Sequence, residues 1–538
     1  MKRLIATVVL ALAARGTFAP IGAPSLGVIA GVVALSLAPA VARIDAQRPL
    51  DVDRIRAEAL EHSAVMQNAF FLTDVYGPRL TGTRAYRDAI GWAAGRLREY
   101  GANVHVESFD WGIDWSASHI SLDLVSPQPA SLLAYPMTWT VGTKGRVVAE
   151  AFRTATDIER YEESAFDALF REIQGRVRGR FVLLQGIAPL PLAAGPVSRR
   201  LTDAELSAME APAPAAAPSA APGLSPRLPF LLIELMQRLK TEGARAVLWR
   251  ASGGAGLASV FTLSSTYRDP ATPAPLPIVF VAPEHYNRIA RLLENHVPIR
   301  LALELTVHAG TSSVPGLNLI ADIPGGVRQH EIVMLGAHLD SWSGGTGATD
   351  NAAGCAVVME VVRILRTLRL EMDRTVRVAL WGGEEGAGAG SQAYVRDHFL
   401  ESNGTPKADF ATLSAYFNLD AGTGKIRGIY TGGNEQVRPI FQAWLAPFAD
   451  MGARTVSPRR PSGRLISDEG AFVRAGLPGF AFIQDPLEYD TRTHHTNMDL
   501  YDRLQPEDLK QAAAVMAAFV YAAATHSQLL PRKPPDQP

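Results

Sequence analysis

From Asn318 onward the chain alternates between two hydrophobic rhythms. Short, nearly continuous apolar runs have the length and composition of buried strands: Asn318–Ile323 (NLIADI), Glu331–Ala337 (EIVMLGA), Val376–Trp381 (VRVALW), Ala415–Leu419 (AYFNL) and Gly479–Ile483 (GFAFI). Between them lie stretches with helical spacing, chiefly Ala352–Leu368 and Asp508–Ala524. Strands that are apolar on both faces and separated by helices predict an α/β fold: a largely parallel, twisted sheet with helices on both faces. An earlier unit has the same character. Tyr86, Ile90, Ala93 and Leu97 share one helical face, Gly101 ends that helix, and Val104 and Val106 then alternate with polar neighbours as in a strand.

Between about Ser118 and His308 the texture changes. Arg180–Gly186 (RFVLLQG), Ala244–Arg250 (ARAVLWR) and Pro277–Pro283 (PIVFVAP) are short strand candidates set apart by turns. They predict an inserted, β-rich domain. It holds no dense cluster of ligand-type residues, so it is expected to shape or cover a site. Glu210–Pro226 is rich in Ala and Pro and predicts a surface loop. The N-terminus opens with Lys2 and Arg3, carries no charge from Gly16 to Ala42, and ends that run in Ala40-Val41-Ala42, a small-residue site suited to signal cleavage. The run is long enough for an uncleaved membrane anchor, although Pro20, Pro24 and Pro39 weaken a spanning helix. Either way the body is expected outside the cytoplasm, periplasmic or extracellular. The expected organisation is a signal peptide or anchor at 1–42, a first part of the α/β domain at 43–118, the insertion at 119–308 with its loop at 210–226, the main part of the α/β domain at 309–530, and a tail at 531–538.

Composition narrows the function classes. A chain of 538 residues is too long for one compact core and predicts two or three domains. A net charge of −1 leaves no electrostatic footprint for nucleic acid. The single cysteine, Cys355, excludes an intrachain disulfide framework and a thiolate-rich zinc site; within a helical pattern it reads as a small buried hydrophobe.

The polar residues that matter fall just beyond strand ends. EIVMLGA runs into His338 and Asp340, and the segment HLDSWSGGTGATD then delivers Asp350. VRVALW runs into Gly382, Gly383, Glu384 and Glu385; AYFNL into Asp420; GFAFI, through a loop, into His494, His495 and Thr496. Open α/β sheets place their sites outside the carboxyl ends of strands, so these clusters are expected to converge. Singly, most have plain structural explanations. Asp350 could cap the following helix, Asp420 could close a turn, and a histidine two residues from an aspartate is often just a satisfied pair. Adjacent Glu384 and Glu385 at the mouth of a core are different, because neighbouring buried carboxylates need a cation or a proton-transfer role. Imidazole and carboxylate together suit a hard or borderline metal. The glycine-rich stretches have neither a P-loop lysine nor dinucleotide-binding spacing, which excludes nucleotide binding.

The succession HxD, D-N, E-E, D and H-T-x-x-D is similar to the co-catalytic zinc exopeptidases of the M28 family, and GAHLDSW with the paired HHT resembles its carboxypeptidase Q branch. The likeness covers about Val52–Ser118 and Ser313–Ser527, and the block between resembles the protease-associated (PA) domain such enzymes often carry. The resemblance implies two Zn2+ per chain, one held by His338 and Asp420, the other by Glu385 and His495, with Asp350 bridging. His495 is chosen over His494 because Thr496 and Asp499 follow it in the H-T-x-x-D frame. It further implies a cis peptide at Asp350–Asn351, Asp340 orienting His338 through the ring nitrogen the metal does not use, and Glu384 as general base. Tyr489 is the candidate for assisting the oxyanion and Arg492 for binding a substrate carboxylate. Three positions depart from the family pattern and bear on substrate preference: Ser467-Asp468-Glu469 where many relatives have S-D-H, Ser343, and Ala421.

The implied activity is removal of terminal residues from peptides, or cleavage of dipeptides, with aminopeptidase and carboxypeptidase or dipeptidase polarity both open. Peptides are the expected partners, with no nucleic acid and no membrane beyond the export segment; a homodimer is left open. Two rivals exist on such a scaffold. Glutaminyl cyclase-like acyl transfer uses a single zinc, and a non-catalytic binding protein would have lost ligands or base. The full set His338, Asp350, Glu384, Glu385, Asp420 and His495 argues against both.

Overall fold

The computed structural model describes residues 49–160, 162–190, 195–212, 227–459 and 467–533. The leader at 1–42, most of the 210–226 loop and most of the tail lie outside them. Helices α1 (Pro49–Glu61), α2 (Val65–Phe70) and α3 (Arg84–Glu99) lead into the long strand β1 (Asn103–Ser126). A lobe follows, built from β2 (Ala130–Leu132), β3 (Ala134–Pro136), β4 (Val147–Arg153), α4 (Glu163–Ile173), β5 (Phe181–Leu183), α5 (Asp203–Met209), α6 (Leu228–Thr241), β6 (Ala246–Arg250), β7 (Ile278–Val281) and α7 (Pro283–Glu294). The long strand β8 (Arg300–Ile323) returns from it. The remainder is β9 (Arg328–His338), α8 (Ala353–Thr367), β10 (Arg374–Trp381), α9 (Ala389–Phe399), β11 (Leu413–Asn418), β12 (Ile426–Tyr430), α10 (Arg438–Leu445), β13 (Thr455–Ser457), α11 (Glu469–Arg474), β14 (Gly479–Gln484) and α12 (Pro506–Thr525).

The sheet order on the catalytic side is β13-β12-β14-β11-β9-β10-β8. Its centre, β14-β11-β9-β10, is parallel, while β12 against β14 and β8 against β10 run antiparallel, so the open sheet is mixed. The strands alternate between two buried faces, as the apolar runs predict. Val333, Leu335 and Ala337 of β9, with Val376, Val378 and Leu380 of β10, join the core beneath α8 and α12. Met334, Ala379 and Trp381 point the other way, into a second core with Tyr394 of α9 and Phe472 of α11. Neither β12 nor β13 is evident from the apolar pattern. At Gly428 a side chain would come within 1.9 Å of the Thr455 carbonyl, so the close pairing of these short strands requires glycine.

β1 and β8 pair antiparallel along their lengths, from Asn103 opposite Asp322 to Ser126 opposite Arg300, with irregularities such as that between Phe109 and Gly112. The inner end of β8 pairs with β10 and its outer end with β4, which begins the second row of strands, β4-β5-β6-β7-β3. The expected boundaries at 118/119 and 308/309 thus fall inside paired strands and not at linkers (Ala117 opposite Val307, His119 opposite Thr306). The lobe is also more than strands. Among the described residues four α-helices accompany them, and β4, β5, β6 and β7 run parallel to one another. No helix among the described residues is long and apolar enough to cross a membrane.

Candidate metal centre

Adjacent strand ends deliver the site. β9 ends on His338, β10 stops just before Glu384 and Glu385, β11 just before Asp420, and the loop after β14 carries His494 and His495. Asp350 reaches the same edge from the segment between β9 and α8. The Asp350–Asn351 peptide is cis. Asn351 donates to the Leu419 carbonyl (2.9 Å) and accepts from Gly354 N (2.9 Å), tying this turn to the end of β11. Gly354 is needed there, because a Cβ would sit 2.4 Å from the Asn351 side chain and 2.5 Å from the Leu419 carbonyl.

The two oxygens of Asp350 face two different histidines. Oδ1 lies 3.1 Å from His338 Nε2, which is also 3.2 Å from Asp420 Oδ1. Oδ2 lies 3.3 Å from His495 Nε2, which is also 3.0 Å from Glu385 Oε2. Five side chains therefore form two three-membered nests that share one carboxylate. His494 stacks on His495 (3.8 Å between ring centres) and keeps its Nε2 at 3.9 Å from Asp350 Oδ2, farther than His495. His495 itself occupies the left-handed region (φ 56°), an unusual conformation for a residue with a side chain and one often found at functional sites.

The electrostatics fit a cationic occupant. Asp350 Oδ2, Glu385 Oε1 and Asp340 Oδ2 are buried oxygens without a hydrogen-bond donor. Burial, together with neighbouring carboxylates, raises Glu384 well above the usual carboxylate range and Glu385 to about 7. Burial opposes protonation of His338 and His495, but the facing carboxylates outweigh it and push both well up. Burial would also raise Asp350, yet the two histidines hold it well below its ordinary value. A set of carboxylates, three of them (Asp350, Asp420 and Glu385) against imidazole nitrogens, is a donor set for borderline divalent cations.

The positions around the nests are also defined. His338 Nδ1 meets the backbone carbonyl of Asp340 at 3.0 Å, with the Asp340 carboxylate farther away at 3.6 Å. The histidine is therefore oriented mainly by main chain, and the Asp340 side chain instead accepts from Glu384 N (3.2 Å), holding the Glu384 turn. Tyr489 is buried beside His494 (4.8 Å between ring centres), and burial with the negative charge of Asp350, Asp420 and Glu385 keeps its hydroxyl protonated. Arg492 is paired with Glu488 (3.3 Å), so its charge is already engaged.

Several supports are not evident from motif reading. Asp499, known from the sequence only as the last letter of H-T-x-x-D, accepts from Thr349 N (2.6 Å), Thr349 Oγ1 (2.7 Å) and Asp350 N (3.2 Å), and so sets the bridging carboxylate. Thr81 accepts from Gly383 N (2.8 Å). The lobe braces the histidine loop: Val260 N donates to the His495 carbonyl (2.8 Å) and Ala258 N to the Asn497 side chain (2.8 Å). Arg79, fully buried, donates to the carbonyls of Leu339 (2.7 Å), Thr346 and Gly347 (both 2.8 Å), and of Leu72. It stitches the start of the His338–Asp350 segment to its end. Arg79→Met strands these carbonyls and is expected to lower unfolding free energy by roughly 3–5 kcal/mol, read from urea denaturation; a loss under about 1 kcal/mol contradicts this role.

Comparison with known proteins agrees with the geometry. Residues 318–520 match the family model described as Peptidase family M28. Human carboxypeptidase Q is 27% identical over 293 residues, 54% of this chain and 58% of its own length, so the match spans little more than half of that relative. A crystal structure described as a peptidase M28 precursor from Shewanella amazonensis covers 91% of this chain and 99% of its own, with a TM-score of 0.66 and 23% identity. A zinc aminopeptidase from Bacillus subtilis covers 87% of this chain and 97% of its own, with a TM-score of 0.55 and 20% identity. At such identities these structures establish a shared fold.

Proposed function

We propose, on the premise that the chain carries a peptidase family M28 domain, that the protein is a di-zinc exopeptidase of the carboxypeptidase Q kind, exported to act on peptides or dipeptides. The observation that carries this reading is the division of Asp350 between His338 and His495, each completed by its own carboxylate, Asp420 or Glu385. His338, Asp420 and Asp350 would hold one ion, and His495, Glu385 and Asp350 the other. Bound zinc supplies Lewis acidity to the scissile carbonyl and to the attacking water.

The remaining steps belong to the protein. Glu384, aligned through its main chain by Asp340, takes a proton from the attacking water and passes it to the leaving amine. Burial raises its carboxyl above the usual carboxylate range, which helps it to retain the proton it has taken until the amine leaves. The Tyr489 hydroxyl donates toward the developing oxyanion. The lobe, read as the counterpart of a protease-associated domain, covers the His495 loop through Val260 and Ala258. Both polarities stay in contention, since the relatives include a carboxypeptidase and an aminopeptidase by name.

Peptides offered free, N-acetylated and C-amidated, with and without chelator and with products read by mass, test the proposal. Chelator-sensitive trimming of free peptides is expected. A block by acetylation assigns an aminopeptidase, a block by amidation a carboxypeptidase, and a block by both a dipeptidase. Metal-loaded protein that trims nothing, or trims equally with chelator, sinks the reading.

A further inference from the structure

Glu469 takes no part in the chemistry above. It begins α11, is almost wholly buried, and lines a cavity that also touches Asp420 and Tyr489. The other walls are largely apolar and include Met209, contributed by the lobe, with Tyr430 and Phe482. The Glu469 carboxylate is fixed in place. Oε2 accepts from Asn418 Nδ2 (3.0 Å) and Oε1 from Ser467 N (3.3 Å). Asn418 is itself held by Tyr416, whose hydroxyl donates to it (2.7 Å) and accepts from Trp381 Nε1 (2.7 Å).

Every one of these partners is neutral. The cation lining the cavity among the described residues, Arg199, is committed to Glu205 at 2.8 Å. Burial, with the nearby negative charge of Asp420, pushes the Glu469 carboxyl up to about 7. Each of its oxygens still has lone-pair capacity for a further donor. A largely apolar sleeve with a fixed carboxylate that no cation among the described residues pairs with matches one kind of side chain: a hydrocarbon stem that packs on the walls and a charged head that pairs at the base.

We propose that this cavity is a specificity pocket for lysine or arginine side chains, whose cationic head pairs with Glu469. The assignment rests on the peptidase reading and deepens it by naming a substrate class. Norleucine fills the same stem volume but leaves the buried carboxylate uncompensated, so discrimination arises from the charged tip.

The test uses the metal-loaded full chain with Lys-Ala, Nle-Ala, Ala-Lys and Ala-Nle (Nle, norleucine), together with calorimetric binding of free lysine and norleucine. At one of the two positions lysine is expected to exceed norleucine in kcat/KM by about tenfold or more, and Glu469→Gln to reduce that ratio about tenfold, with Glu469→Asp retaining most of it. A structural role for Glu469 would lower both substrates together and leave the ratio unchanged. A ratio near one in the unaltered protein, or one unmoved by Glu469→Gln, overturns the pocket. Hydrolysis of none of the four dipeptides, together with no trimming of the free peptides offered above, overturns the peptidase reading instead. The calorimetry then decides the pocket: tighter binding of lysine that is lost in Glu469→Gln upholds it, and equal binding of the two amino acids overturns it.

Discussion

Glu384→Gln is expected to lose about 10³-fold in kcat, within the roughly 10²–10⁴-fold contributed by a positioned proton-transfer group, while metal content stays at the unaltered level. The substitution keeps the side-chain volume and the main-chain bond to Asp340, and Glu384 belongs to neither nest of His and carboxylate donors. What it removes is the ability to hold a proton between two steps. The measurement pairs steady-state kinetics with metal analysis by mass spectrometry. Retained turnover ends the general-base role. Lost turnover with lost metal would instead mark Glu384 as part of the metal scaffold.

Asp350→Ala should behave differently. Its oxygens lie at 3.1 Å and 3.3 Å from the two histidines, so one deletion weakens both nests at once. Removal of an outer-shell partner of a ligand already lowers metal affinity about 10–100-fold, and loss of a carboxylate that two ions would share on the proposed reading should exceed that at each. Metal content well below one ion per chain after dialysis is expected, with activity reduced by at least about 10³-fold. Full retention of two ions would remove the bridging role. The fold should persist, because Asn351 and Gly354 still secure the turn to β11.

Much of this site is legible in the sequence because its residues sit just past apolar runs whose burial fixes where each strand ends. His338, Glu384 and Asp420 follow that rule, the His494-His495 pair is reached through the loop after its run, and the strands concerned prove to be neighbours. Strand direction is less legible. A run that is apolar on both faces has no arrow, so the antiparallel placement of β8 and β12 in the mixed sheet cannot be read from it. The supporting contacts are hidden for another reason. Arg79 bonds to backbone carbonyls, and the nearer contact of His338 Nδ1 is likewise to a carbonyl; such acceptors carry no residue identity to recognise. In the lobe, Ala165, Phe166, Leu169 and Ile173 of α4 do have helical spacing, but the strand-like runs beside them are more conspicuous.

The paired strands β1 and β8 also bear on how such a chain can change over time. Their inner ends are locked into the catalytic sheet, where Val104 lies opposite Ala321 and Ala321 opposite Val378. Their outer ends carry everything between Ser126 and Arg300. Residues gained, lost or exchanged beyond the irregularity at Phe109 and Gly112 need not shift that inner register, so the outer part can be remodelled as a cassette while the edge bearing His338 stays in frame. The outer wall of the Glu469 cavity can therefore change faster than its charged base, with Met209 travelling on the exchangeable part while Glu469, His338 and Asp420 remain on the fixed one.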